Sequence, residues 1–151
     1  MITTNPKEHL KVHFDNLQLP YDAQSFLMLL WDVVQDLDDW RDGAKLTPKE
    51  IELAIYKVLV LLPGHPFYGM HHTALSHAMS NVTMKWFGAN AVEDAKEVNE
   101  TSFVWRAIYY DIVLLVVNLV HGYEVARDVS GYVTKMYGEK YEEYVEEFKH
   151  G

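Results

Sequence analysis

From Phe103 to Val120 the chain is apolar at most positions, and this run constrains the fold more than any other stretch. Arg106, Asp111 and Asn118 interrupt it, so its longest uncharged part falls well short of the roughly 20 residues that a membrane span requires. An apolar segment that does not enter lipid has to be wrapped by protein. The run therefore predicts a buried central helix over residues 103–121 with the other elements around it, and no membrane partner.

Caps and breakers divide the rest of the sequence into helical segments, and no stretch alternates as strands do. The reading is an all-α fold, a compact bundle of about six helices in a single domain over residues 1–151. Asn5 before Pro6 is a cap with proline at the first helical position, followed by Leu10, Phe14 and Leu17 at helical spacing. This predicts a short amphipathic entry helix within residues 1–20. Phe26, Leu30, Val33, Leu37 and Trp40 form one face of a second helix that Gly43 stops. Thr47-Pro48-Lys49-Glu50 is a capping box that starts a third, directing Ile51, Ala54, Ile55, Val58, Leu59 and Leu62 to the core before Pro63-Gly64. A fourth helix is expected from Gly69 to Phe87, ending at Gly88. Asn90 with Glu93 is read as the start of a fifth, which residues 99–102 interrupt. Residues 139–151 close the chain as an acidic amphipathic helix, with Tyr141, Tyr144, Val145 and Phe148 among Glu142, Glu143, Glu146 and Glu147.

The 151 residues suffice for a packed core, and 49% hydrophobic with 23% charged residues marks an ordered chain. With no cysteine, disulfides, thiolate metal sites and cysteine nucleophiles are all excluded. That fits a reducing compartment, and Met1 to Lys7 shows no secretory pattern. The formal charge of −9, with only Arg41, Arg106 and Arg127 as arginines, argues against nucleic acid as a partner and for a basic protein.

Candidate chemistry centres on aspartates. Asp32, Asp36 and Asp39, at i, i+4 and i+7, fall within roughly 60° on one helix surface. Such a stripe repels itself unless a divalent cation, magnesium or manganese, or basic groups offset the charge. Asp38 and Asp42 stand near the helix C-terminus, where the macrodipole disfavours anions. With Trp31, which points away from the apolar face, they are the interface candidates, and Trp31 suggests a homo-oligomer. Asp38 to Gly43 does not register as a calcium loop, because Lys49 stands where a bidentate glutamate is required. His65, His71, His72 and His77 cluster, but not at the spacing that brings two ligands onto one helical face. Arg106, Asp111 and Asn118 on the central helix, with His77, are expected to form a buried polar cluster. No phosphate loop, dinucleotide glycine pattern, nucleophile elbow or His-Glu-x-x-His is present.

Asp38-Asp39-Trp40-Arg41-Asp42-Gly43, Leu62-Pro63-Gly64-His65-Pro66-Phe67-Tyr68, Trp86 with Glu93, and Trp105-Arg106 with Tyr109 and Asp111 resemble a family of small all-helical proteins encoded by tailed bacteriophages. The resemblance spans residues 26–148. It departs from the pattern at His65, where asparagine is expected, and at His121, where a glycine would pair with Gly122. It implies a viral origin and a helical fold, in the host cytoplasm or on the virion, and carries over no catalytic residue. The expected function is that of a non-enzymatic accessory protein acting by protein–protein binding. The alternative is a divalent-metal-dependent enzyme for a phosphorylated small molecule, built on Asp32, Asp36 and Asp39.

Overall fold

The computed structural model describes residues 5–149. The first four residues of the expected entry segment and the last two of the C-terminal segment lie outside them. The described residues are all-helical, with no strand among them. They fall into two compact units, Met1–His72 and Thr73–Gly151.

The first unit is organised on α2 (Tyr21–Arg41), which buries Ala23, Phe26, Leu27, Leu30 and Val33. α1 (Pro6–Asn16) starts at Asn5, whose side chain accepts from the Lys7 N–H at 3.0 Å, and it buries Leu10 and Phe14. α3 (Pro48–Tyr56) carries the predicted capping box, with Thr47 and Glu50 bonded reciprocally. It runs on into a π-helical extension, Lys57–Leu61, in which Leu62 N–H donates to the Lys57 carbonyl at 2.8 Å. The short α4 (Pro66–Met70) then returns to α2. There the fully buried Phe26 ring meets His65, Phe67 and Tyr68, with ring centroids 5.6–6.2 Å apart.

The second unit comprises α5 (His72–Asp94, His72 itself belonging to the first), α6 (Glu100–Arg106), α7 (Ile108–His121), α8 (Tyr123–Thr134) and α9 (Tyr141–Lys149). The apolar run expected as one central helix is two helices. Ala107 leaves helical geometry at φ −85°, ψ 43°, and α6 and α7 meet at 54°. Among the described residues no single helix is long and apolar enough to cross a membrane; the bent pair meets that length and composition only when taken together. Nor is α7 buried all round. Tyr109, Ile112, Val113, Val116 and Val117 form its buried face, and Asp111 and Asn118 are exposed on the other.

Two glycines read alike in sequence act differently. Gly43 does end α2: at φ 86° it is the left-handed residue of a Schellman turn, its N–H donating to Trp40 and that of Ala44 to Asp39. Gly88 ends nothing, since α5 continues through it to Asp94. The Trp105 ring of α6 lies so close that a Cβ on residue 88 would stand 3.2 Å from Cζ3, so glycine serves close packing there. α5 instead stops at Lys96, which adopts φ 57° in the same kind of turn, Lys96 donating to Glu93 and Glu97 to Val92. Gln18 (φ 53°) ends α1 likewise. Asn90 is buried inside α5 and starts no helix; Asn99 does, paired reciprocally with Ser102 at 2.8 and 3.0 Å.

A β-carbon is strained in the left-handed region. Lys96→Gly should therefore stabilise the protein by about 1 kcal/mol, read as a higher denaturant midpoint with an unchanged slope.

Candidate functional site

The aspartates of α2 are met by lysines. Asp32 pairs with Lys7 of α1 at 2.6 Å, and Asp36 with Lys57 of the π-helical extension at 3.1 Å. Asp39 is exposed. Asp42 caps the helix, its backbone N–H donating to the Asp38 carbonyl at 2.9 Å. Trp31 is half-buried. Among the described residues no group of three or more His, Asp or Glu side chains is placed to hold a metal ion. The repulsion along the stripe is offset at two of its three members by ammonium groups from neighbouring elements.

The expected buried cluster of Arg106, Asp111, Asn118 and His77 does not form. His77 and Asn118 are exposed, and Asp111, itself exposed, pairs with Lys85 at 3.1 Å. Asp111 and Asn118 instead flank an open groove of about 440 Å³ between α7 and α8, with Arg127 and Ser130. Arg106 turns to Glu93 on α5, at 3.3 Å, and this carboxylate is only 8% exposed. The Tyr144 hydroxyl of α9 donates to the same Glu93 oxygen at 3.0 Å and lies 2.8 Å from Ser102 Oγ. The Arg106 guanidinium stands 5.5 Å from the Tyr144 ring centre, at cation–π distance. Burial, with the Glu93 bond and charge, pushes the Tyr144 phenol up to about 12, against the opposing Ser102 bond and Arg106 charge. Glu93 is the residue that spacing did not single out. The available signal was that a buried arginine requires an acceptor, and Glu93 precedes Arg106 by thirteen residues on another helix.

Three of the four clustered histidines, His65, His71 and His72, are ring partners. His71 lies tilted against Phe67 at 4.6 Å, and His72 meets Tyr68 edge-on at 5.4 Å. His65 does more. Its Nδ1 accepts the Phe67 N–H at 3.1 Å and caps α4, and its Nε2 lies 3.0 Å from Ser25 Oγ. A neutral ring that accepts at Nδ1 carries its proton at Nε2, so it donates to Ser25 and cannot take the serine proton. This serine–histidine pair is structural. As the cap of α4 the histidine ring accepts the bond that an asparagine side chain also could.

The sequence reading of α3 fails in an informative way. Of the six residues directed to the core, only Ala54 and Leu62 are buried. Leu53, Ile55, Tyr56, Val58, Leu59, Val60 and Leu61 are 37–69% exposed. This is a helical segment apolar on nearly every side, and only Lys57 among residues 53–61 is charged. No known protein family, curated protein or solved structure matches this chain. Its function is therefore read from this geometry.

Three outcomes are expected. Tyr144→Phe removes one of the partners of a buried carboxylate and should cost about 1–3 kcal/mol, measured by chemical denaturation. Burial holds the His65 imidazole below its ordinary 6.5, against the opposing charge of Asp22. Below pH 6.5 the unfolded chain thus binds a proton that the folded chain refuses, and stability present above 6.5 is lost as pH falls. The melting midpoint should drop between pH 7.5 and 5.5, and less steeply in His65→Asn, which keeps the cap without a titrating ring. Millimolar magnesium or manganese should leave the midpoint unchanged; a shift of several degrees abolished by Asp36→Asn would restore the cation reading of the stripe.

Proposed function

We propose that this chain is a non-enzymatic helical accessory protein that acts by protein–protein binding, with α3 and its π-helical extension as the contact face. One observation carries the reading: a segment apolar nearly all round whose most exposed large side chain, Leu59, is 69% exposed. An apolar helix of this kind is stable in water only where other protein covers it, and exposed apolar surface of this extent is a feature of interaction sites. The resemblance of its short motifs to those of phage-encoded helical proteins supports a setting in particle assembly or in engagement of a host factor. The metal-dependent alternative draws no support from a stripe whose Asp32 and Asp36 are already paired with lysines.

The reading is tested by immobilising the full chain and adding host-cell extract supplemented with free copies of the same chain. Wild type should retain a protein, its own kind or a foreign one. Leu59→Glu should weaken that retention about tenfold or more, equivalent to 1.4 kcal/mol. Met84→Glu, changed at an exposed position of the second unit, should retain it fully. Equal retention by wild type and Leu59→Glu would overturn the assignment.

A further inference from the structure

The α2–α3 hairpin exposes apolar side chains and negative charge side by side, and the two come from different helices. α3 and its π-helical extension supply the apolar part: Leu53, Tyr56 and Leu59 are each more than half exposed. α2 supplies the charge. Residues 21–61 hold eight carboxylates against four cations, a balance of −4. The excess is densest over residues 36–42, where Asp36, Asp38, Asp39 and Asp42 stand with Arg41 around the exposed Leu37 and Trp40. This end of α2 lies beside the apolar segment, since Asp36 meets Lys57 there at 3.1 Å. Asp39 is exposed and meets no cation among the described residues. The carbonyl end of the α2 macrodipole adds negative potential at the same place.

That pairing of properties selects an occupant by charge. A second copy would set −4 against −4, and an anionic lipid surface or a nucleic acid would be repelled in the same way. A cationic partner is attracted, and its own apolar side chains can cover the α3 segment. The backbones of α2 and α3 are hydrogen-bonded within their helices and present no sheet edge, so an extended strand has nothing to pair with. Recognition has to run through side chains. An amphipathic helix meets that requirement, laying its apolar stripe on the receptor and turning its charges to the rim.

We propose that the occupant is a basic amphipathic helix of another protein, with its apolar stripe on the exposed side chains of the α3 segment and its lysines and arginines toward the aspartates at the end of α2, Asp39 among them. This rests on the reading of the segment as a protein contact face. Apolar burial supplies most of the affinity, and the aspartates supply the preference for positive charge and a faster encounter.

The test takes the full chain and a fluorescent peptide of leucine and lysine, about 18 residues or five turns long, with every leucine on one helical face. A second peptide carries glutamine, and a third glutamate, in place of each lysine. By fluorescence anisotropy, wild type should bind the lysine peptide about tenfold more tightly than the glutamine peptide, and the glutamate peptide most weakly. The advantage of lysine should shrink as salt rises from about 50 to 500 mM. Leu59→Ser should weaken the lysine peptide about tenfold, and Asp39→Lys should weaken it several-fold and flatten its salt dependence. Met84→Ser and Glu97→Lys, exposed on the second unit, should bind it as wild type does. The comparison of peptides on wild type needs no variant, so it decides the charge preference even where a substitution unfolds the chain.

Three peptides bound alike, or one affinity for the lysine peptide in wild type, Leu59→Ser and Asp39→Lys, would overturn the proposal. So would a loss in Glu97→Lys equal to that in Asp39→Lys, because net charge alone would then be at work. If a foreign protein is retained through Leu59 while the three peptides bind alike, the basic helix is ruled out and the contact face stands. A wild type of twice 17.5 kDa by light scattering that Leu59→Glu splits would make the occupant a second copy. A chain that sediments with phosphatidylcholine vesicles through Leu59, and retains no protein, would remove the basic helix and the contact face together.

Discussion

The carboxylate of Glu93 and the guanidinium of Arg106 are both withdrawn from water, and each tolerates that only because the other is there, together with the Tyr144 hydroxyl. Removing a partner leaves a charge uncompensated at low dielectric, so the arrangement of α5, α6 and α9 is restricted to those positions that keep all three groups in contact. Much of the second unit follows from this. With Arg106 anchored on α5, the adjacent Trp105 lies across the same helix, and only glycine at residue 88 lets it approach so closely. The chain leaves helical geometry at Ala107, immediately after the residue that makes this ion pair, and α7 departs at 54° from α6.

In the first unit the charges do something different. The aspartates of α2 face outward and are met from both sides, by Lys7 of α1 and Lys57 of the π-helical extension. These are half-exposed pairs of modest worth. Their role is orientation: the Lys57–Asp36 contact helps hold the π-helical extension against α2. The aromatic packing of Phe26 with His65, Phe67 and Tyr68 fixes the other end of that segment through α4. The stretch from Lys57 to Pro66 is therefore secured at its two ends, while its apolar surface is left facing out. A segment so held is presented in a defined conformation, which lowers the ordering cost of binding.

Much of the helical character was legible in the residues. Asn5-Pro6 and Thr47-Pro48-Lys49-Glu50 start helices as their hydrogen-bonding chemistry dictates, and Gly43 stops one. The endings at Gln18 and Lys96 were not legible, because neither residue favours the left-handed conformation that it adopts. Gly88 misled for the converse reason, since glycine marks either a turn or a close approach and only the position of Trp105 distinguishes them. Of the candidate side chains, Arg106 belongs to a polar cluster with Glu93 and Tyr144, which lie on two other helices at separations that no periodicity connects; Ser102, one turn before Arg106 on α6, joins it through Tyr144.

By itself the sequence determined an all-helical chain without thiol chemistry, with an acidic surface and several caps in place, because these depend on composition and on contacts within one turn. Tertiary structure decided which apolar faces are covered. The periodicity of α3 announces a helix with hydrophobic residues and is silent on what lies opposite. Burial is a property of neighbours distant in sequence, and here they cover Ala54 and Leu62 and leave Leu53, Tyr56 and Leu59 in water. The same holds for charge: a row of aspartates on a helix reads as a cation site until the lysines of other elements are seen to meet it.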